Sequence, residues 1–197
     1  MLTTFPGHRS RNVGDNLIAH SAMQMILSRN PAFEPITAFR EEKLDSFPDG
    51  AIRNLIAPGF SVSDGVYPGL FGLYSDLERL PAFFPIGCSF QHTIPSHETF
   101  ERYEYSEETL RFLRFIADRS GPLPCRDQLI VELLRRHGIS AVYSGDLAIY
   151  DEQRIGTAFV PPGVICSVVF TIQHHERYDA QSFELLALIK ELPPASP

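Results

Sequence analysis

Short runs of β-branched and aromatic residues alternate with longer helical patterns along this chain, and the alternation restricts its fold more than any other feature. The runs that we predict as strands are 2–5, 36–39, 52–57, 83–89, 123–125, 140–143 and 164–171. Several of them are continuously apolar, which is typical of strands covered on both faces. The sequence therefore predicts an α/β fold, a doubly wound parallel sheet with helices on both faces.

The helical segments carry start and stop signals. We predict helices at 16–29, 69–80, 107–118, 128–137 and 180–192. Asp15, Ser106 and Asp127 stand where an N-cap side chain accepts a hydrogen bond from the free N–H groups of the following helix. Gly138 suits the left-handed residue that often follows a helix, so the fourth helix has a signal at each end.

Length and charge limit the class of protein. At 197 residues the chain is long enough for one full core and the beginning of a second domain. We predict an N-terminal domain at 1–150, a linker or long loop at 151–163, and a terminal strand and helix at 164–197, where a second domain can begin. The net charge of −7 argues against a nucleic acid partner.

The sequence shows no pattern typical of a metal site, a transmembrane segment or a standard enzyme motif. Cys88, Cys125 and Cys166 are widely spaced without a CxxC pair, and the histidines lack the spacing of ligands, so we expect no metal site. The best apolar run, 164–172, is far shorter than the roughly 20 residues that span a bilayer. We therefore expect no transmembrane segment and a cytoplasmic location. The chain lacks GxGxxG, P-loop, HExxH and GxSxG motifs, which argues against the standard enzymes that carry them.

The first candidate site residues form the series Asn12-Val13-Gly14-Asp15, between the first predicted strand and helix. A crevice forms at this position in α/β sheets, and a helix N-terminus attracts anions, so Asn12, Gly14 and Asp15 are candidates for ligand contact. A tight turn in which Asp15 only caps the helix explains the same residues, and the two interpretations are compatible.

Two glycines are predicted at or near strand ends. Gly59 follows Ala57-Pro58, and Gly87 follows Pro85-Ile86. A glycine at a strand end lets a ligand or another backbone approach closely. Close packing of a helix on the strand explains each glycine equally well.

Arg126-Asp127 and Gly145-Asp146 follow two neighbouring strands. The guanidinium of Arg126 should emerge at the carboxyl edge of the sheet, where it can hold a carboxylate or phosphate by paired hydrogen bonds. The competing interpretation is a structural ion pair of Arg126 with Asp127 or Asp146. For Asp146, a turn with a capping carboxylate is equally consistent with the sequence.

Taken in order, these series resemble the polysaccharide pyruvyl transferase family over roughly residues 2 to 150. The resemblance implies two Rossmann-like domains in a glycosyltransferase-B-like arrangement, of which this chain would form one half. It also implies transfer of a pyruvyl group from phosphoenolpyruvate to a sugar hydroxyl of a cell-surface glycan or its precursor, as in exopolysaccharide biosynthesis. The donor is a substrate, and no cofactor is implied.

The resemblance also implies roles for single residues. Arg126 would grip the donor, with Asn12, Gly14, Gly59 and Gly87 as further substrate-binding positions. Asp15 and Asp146 would be the catalytic carboxylates, which orient the acceptor or support the site. The family's second domain supplies a histidine and further basic residues, and this chain carries about one strand and helix of it. We therefore expect this chain alone to bind phosphoenolpyruvate weakly and not to turn it over, unless a further domain or partner chain completes the cleft.

Two other functions fit the same sequence. One is a noncatalytic sugar- or anion-binding module with the same fold. The other is a nucleotide-sugar glycosyltransferase, which rests only on the shared architecture. In each case we expect Asp15, Gly59, Gly87, Arg126 and Asp146 to lie around one crevice at the carboxyl ends of the strands.

Overall fold

The computed structural model describes residues 2–5, 13–91, 97–151, 153, 156–158 and 179–191. The chain divides into two compact units, Met1–Ile155 and Gly156–Pro197. The strand predicted at 164–171 lies outside the described residues, and the assignment of 164–197 to a second domain stays a prediction. No helix in the described part of the chain is long and apolar enough to cross a membrane.

Six described strands form two parallel sheets. They are β1 (Leu2–Phe5), β2 (Ile36–Phe39), β3 (Asn54–Pro58), β4 (Ala82–Ile86), β5 (Leu123–Cys125) and β6 (Ala141–Tyr143). The first sheet has the order β2-β1-β3-β4, the second pairs β5 with β6, and every pairing is parallel. Together with the helices between the strands, this confirms the α/β class.

A short extension of β4 joins the two sheets. Cys88 pairs with Cys125 in a parallel bridge. The Cys88 N–H donates to the Pro124 carbonyl at 2.7 Å, and the Arg126 N–H donates to the Cys88 carbonyl at 3.1 Å. All six strands therefore run in one direction, and their carboxyl ends share one edge.

The described residues include six helices, five in the first unit and one in the second. They are α1 (Val13–Arg29), α2 (Val66–Gly69), α3 (His97–Glu101), α4 (Glu107–Ser120), α5 (Gln128–Arg136) and α6 (Asp179–Glu191), with 3₁₀ turns at Leu44–Ser46, Leu77–Arg79 and Leu147–Ile149. The predicted caps of α4 and α5 are confirmed: Ser106 accepts from the Thr109 N–H, and Asp127 accepts from the Ile130 N–H at 2.9 Å.

The helix predicted at 69–80 is wrong. That stretch holds the end of α2 and the 3₁₀ turn at Leu77–Arg79, with irregular chain between them. Its apolar residues follow helical spacing, yet its backbone pairs with an earlier loop instead of forming a helix, and Phe71 and Leu73 are buried. The Leu44 N–H donates to the Leu73 carbonyl at 2.8 Å.

Two further predictions need correction. The first helix begins at Val13, so Asp15 lies in its first turn and is not the residue before it. The stretch 90–105, where we predict neither a helix nor a strand, contains the short helix α3. The first difference concerns a helix boundary, which sequence patterns fix poorly.

The core of the first unit is built around Phe60. Its ring lies 4.7 Å from that of Phe71, 5.3 Å from Phe83 and 6.3 Å from Phe112, measured between centroids. Phe83 belongs to β4 and Phe112 to α4, so the cluster fixes that helix against the sheet. Such aromatic contacts contribute beyond the area that they bury.

Candidate functional site

The predicted site residues follow strand ends at the shared carboxyl edge. Gly59 comes directly after β3, Gly87 after β4 and Arg126 after β5, while Asp146 follows β6 by three residues. Gly14 and Asp15 lie in the first turn of α1. Asn12 lies outside the described residues.

Arg126 and Asp146 are brought together. The Nη1 atom of Arg126 lies 3.8 Å from Oδ2 of Asp146, and each side chain is about one third exposed, at 36% and 33%. The other carboxylate oxygen of Asp146 accepts from the Ala148 N–H at 2.9 Å and starts the 3₁₀ turn. Asp146 therefore caps the 3₁₀ turn and also pairs with Arg126. The sequence analysis gave these two structural roles as alternatives to a role in binding or catalysis.

Gly87 lies close to the loop that follows β6. A Cβ atom built on Gly87 would lie 3.5 Å from Cγ of Leu147 and 3.7 Å from the Gly145 carbonyl oxygen. Gly87 also has a φ of +61°, a region that other residues seldom adopt. The glycine thus lets the loops after β4 and β6 approach each other beside Arg126 and Asp146.

Gly59 has a packing role. Its Cβ position would lie 3.3 Å from Cγ2 of Ile18 in α1, and its φ is +63°. The Gly59 N–H donates to the Ile86 carbonyl at 2.7 Å. These contacts favour close packing of α1 on the strand end, and contact of Gly59 with a substrate stays a prediction.

Asp15 forms an ion pair that the sequence analysis missed. Its Oδ2 atom lies 3.8 Å from Nη2 of Arg40, and the two side chains are only 20% and 17% exposed, respectively. Arg40 directly follows β2, just as Arg126 follows β5. The place of Arg40 directly after a strand was therefore the sequence signal that could have identified it as a residue of the carboxyl edge.

The sequence analysis also missed three serines that connect the loops after β3 and β4. Ser61 and Ser89 pair as a parallel bridge, and both are buried. The Ser89 hydroxyl donates to the Gly59 carbonyl at 3.3 Å, and the Gln91 N–H donates to the Ser63 hydroxyl at 2.6 Å. These bonds tie the loops after β3 and β4 to each other.

Neither buried cysteine is suited to nucleophilic chemistry. Cys88 and Cys125 are fully buried. Burial, followed by the contact with Cys125, raises the pKa of the Cys88 thiol well above its ordinary value, so the thiol stays neutral. Among the described residues, no group of three His, Cys, Asp or Glu side chains is arranged to hold a metal ion.

No protein-family model, curated protein or solved structure matches this chain.

Proposed function

We propose that this chain is a polysaccharide pyruvyl transferase-like protein of the cytoplasm, which takes phosphoenolpyruvate as donor and a glycan or its precursor as acceptor. The support is the resemblance of residues 2–150 together with the arrangement at the carboxyl edge. Arg126 holds the donor in this proposal, and Asp146 orients the acceptor or supports the arginine.

The observation that carries the proposal is that the Arg126 guanidinium has hydrogen-bond donors that the described residues do not use. At 3.8 Å from Asp146 it is ion-paired, yet it donates no hydrogen bond within the part of the chain that the structure describes. Arg119 and Arg135, by contrast, donate to the backbone carbonyls of Leu80 and Ala141. A partly buried guanidinium with free donors is suited to a carboxylate or phosphate.

The reaction explains why such a group is needed. Two acceptor hydroxyl oxygens form bonds to C2 of phosphoenolpyruvate, C3 gains one proton and becomes a methyl group, and phosphate leaves with the other proton. The donor carries its carboxylate and phosphate on the same carbon, and positive charge develops there. An arginine beside these groups fixes the position of the donor, while Asp146 can orient a hydroxyl.

The strand order supports a doubly wound sheet, the class to which the proposed Rossmann-like half of a glycosyltransferase-B-like fold belongs. The order β2-β1-β3-β4, continued through Cys88 to β5 and β6, is the flavodoxin-like order of such sheets. In such sheets, ligands bind outside the carboxyl ends of the strands, at the point where the strand order reverses, here between β1 and β3. Asp15 and Gly59 follow those two strands, whereas Arg126 and Asp146 follow β5 and β6 further along the same edge.

The donor is tested by phosphorus NMR of phosphoenolpyruvate, which detects weak binding. We expect Arg126→Ala to raise the Kd at least tenfold, because a charge-assisted hydrogen bond contributes about 1.5 to 3 kcal/mol. The Kd of Arg126→Lys should lie between those of the wild type and Arg126→Ala, since lysine keeps the charge and loses the paired hydrogen bonds of arginine. Arg53→Ala is the matched control, because Arg53 precedes β3 at the opposite edge. Equal binding by the wild type and Arg126→Ala would remove Arg126 from the donor site.

A second candidate is a noncatalytic sugar- or anion-binding module. It is favoured by the partners of the two predicted catalytic carboxylates, since Asp15 pairs with Arg40 and Asp146 with Arg126. Incorporation of labelled pyruvate from phosphoenolpyruvate into a glycan separates the candidates. Arg126-dependent binding without incorporation, tested with any domain or chain that completes the cleft, would favour the module.

A further inference from the structure

Two tyrosines flank Gly145 beside the Arg126–Asp146 pair. Tyr143 is the last residue of β6 and is 53% exposed, and Tyr150 follows the 3₁₀ turn and is 36% exposed. A Cβ atom built on Gly145 would lie 3.5 Å from the Tyr150 hydroxyl and 3.9 Å from the Tyr143 hydroxyl. Both hydroxyls therefore lie over the same point of the backbone.

Tyr150 lines two adjoining pockets, and Tyr143 lines the smaller of them. The smaller one, of about 190 Å³, lies between Tyr143, Gly145, Ile149 and Tyr150. The larger one, of about 430 Å³, shares Ile149 and Tyr150 and adds polar side chains, among them His20 and Gln24 of α1. Of the two, only the larger pocket falls in the usual size range of small-molecule sites, about 300 to 1,000 Å³. About half of its lining residues are polar.

The smaller pocket is held in place from below. The Tyr150 hydroxyl donates to the Ser144 carbonyl at 2.7 Å. The Ser144 N–H and hydroxyl both bond the Cys125 carbonyl, at 2.8 and 3.2 Å. Tyr150 is thus fixed to the residue that precedes Arg126, and the pocket needs little ordering when a ligand binds.

Tyr143 is free to contact a ligand. Its hydroxyl has no hydrogen-bond partner among the residues that the structure describes, and its ring is the more exposed of the two. An aromatic ring with a polar tip suits a molecule that has an apolar face and a hydroxyl rim. A sugar ring has both, with C–H groups on its face and hydroxyls around it.

We propose that one surface binds a sugar ring of the acceptor; it is formed by Tyr143, Gly145, Ile149 and Tyr150. That this sugar is the acceptor rests on the proposed pyruvyl transfer. Asp146, whose carboxylate pairs with Arg126, follows Gly145 directly in the sequence, so this surface adjoins the loop that carries that pair. Donor and acceptor then meet at the loops after β5 and β6.

The test is saturation-transfer difference NMR of the full chain with the methyl glycosides of galactose, glucose and mannose. We expect ring protons of at least one glycoside to receive saturation. Tyr143→Ala should raise its Kd about three- to tenfold, because the stacking ring is lost. Tyr143→Phe should have a smaller effect, since it keeps the ring and loses only the hydroxyl. Ile36→Ala is the control, because Ile36 is exposed to a similar degree on β2, across the sheet.

The inference is overturned if none of the three glycosides is saturated, or if wild type and Tyr143→Ala give equal signals. Donor titration of the same samples separates this inference from the proposed function. Glycoside binding without Arg126-dependent binding of phosphoenolpyruvate would retain the sugar surface and contradict pyruvyl transfer. Arg126-dependent donor binding with no response to Tyr143 would overturn only the sugar surface.

Discussion

At the scale of single residues, Asp146 competes with any anion for Arg126. The carboxylate lies 3.8 Å from the guanidinium, in a setting where exposed ion pairs contribute about 0.2 to 1 kcal/mol. It also repels an anionic donor. A donor that binds Arg126 must therefore displace this pair or share the arginine with Asp146.

We predict that Asp146→Asn binds phosphoenolpyruvate about two- to fivefold more tightly, because it removes the competing charge and keeps an oxygen for the Ala148 N–H. Asp76→Asn is the matched control. Asp76 starts the 3₁₀ turn at Leu77–Arg79 in the same way, by accepting from the Glu78 N–H at 3.0 Å. Unchanged or weaker donor binding by Asp146→Asn, measured by phosphorus NMR, would show that Asp146 does not compete for Arg126.

Gly72 gives a residue-scale prediction about stability. A Cβ atom there would lie 2.6 Å from the Glu42 carbonyl oxygen and 2.8 Å from that of Glu41, so the backbone would have to move. We expect Gly72→Ala to lower the free energy of unfolding by about 1 to 3 kcal/mol, as overpacking does. Gly69→Ala, where the same atom meets nothing within 4 Å, should change it by less than about 0.5 kcal/mol. Equal urea midpoints for the two variants would contradict this.

At the scale of elements, the sequence predicted helices well where the signals were local. The start of α5 is set by Asp127 and its end by Gly138, and the helix lies within one residue of its predicted bounds. The stretch 69–80 has apolar residues at helical spacing but no such caps. Its conformation depends on pairing with residues 40–44, which are distant in sequence, so local pattern gave the wrong answer.

Asp64 holds the start of α4 and makes the stability of that helix depend on pH. Its Oδ1 atom accepts from the Ser106 hydroxyl at 2.6 Å and from the Ser106 N–H at 3.0 Å. Burial, the largest single influence, raises the pKa of Asp64, but the hydrogen bonds from Ser106 and Thr109 together bring it below 3.8. A lowered pKa means that this contribution is present above pH 3.8 and is lost as the pH falls through the folded-state pKa.

We therefore expect Asp64→Ala to lower the free energy of unfolding by about 1 kcal/mol near neutral pH, a value at the low end because the carboxylate is exposed. The difference from wild type should shrink as the pH falls below 3.8. Urea unfolding at about pH 6 and about pH 3 measures it. Asp118→Ala, at an exposed aspartate in α4, should show no such change. A difference that stays constant with pH would contradict the role of the carboxylate.

At the scale of the whole molecule, strand order brings together residues that are far apart in sequence. Strand ends alone predicted that Arg126 and Asp146 would share an edge, because parallel strands place their carboxyl ends together. They did not predict the Arg40 partner of Asp15 or the place of Tyr143 and Tyr150. These contacts depend on which loops lie next to each other in the folded chain. No local sequence pattern predicts that.

The central claim is that the carboxyl edge beside Arg126 holds the donor, and a crystal structure of the full chain with phosphoenolpyruvate tests it most directly. We predict a donor carboxylate or phosphate oxygen about 2.7 to 2.9 Å from the Arg126 guanidinium, between the loops after β4 and β6. Phosphoenolpyruvate bound at the opposite edge of the sheet, or bound without contact to Arg126, would contradict the claim.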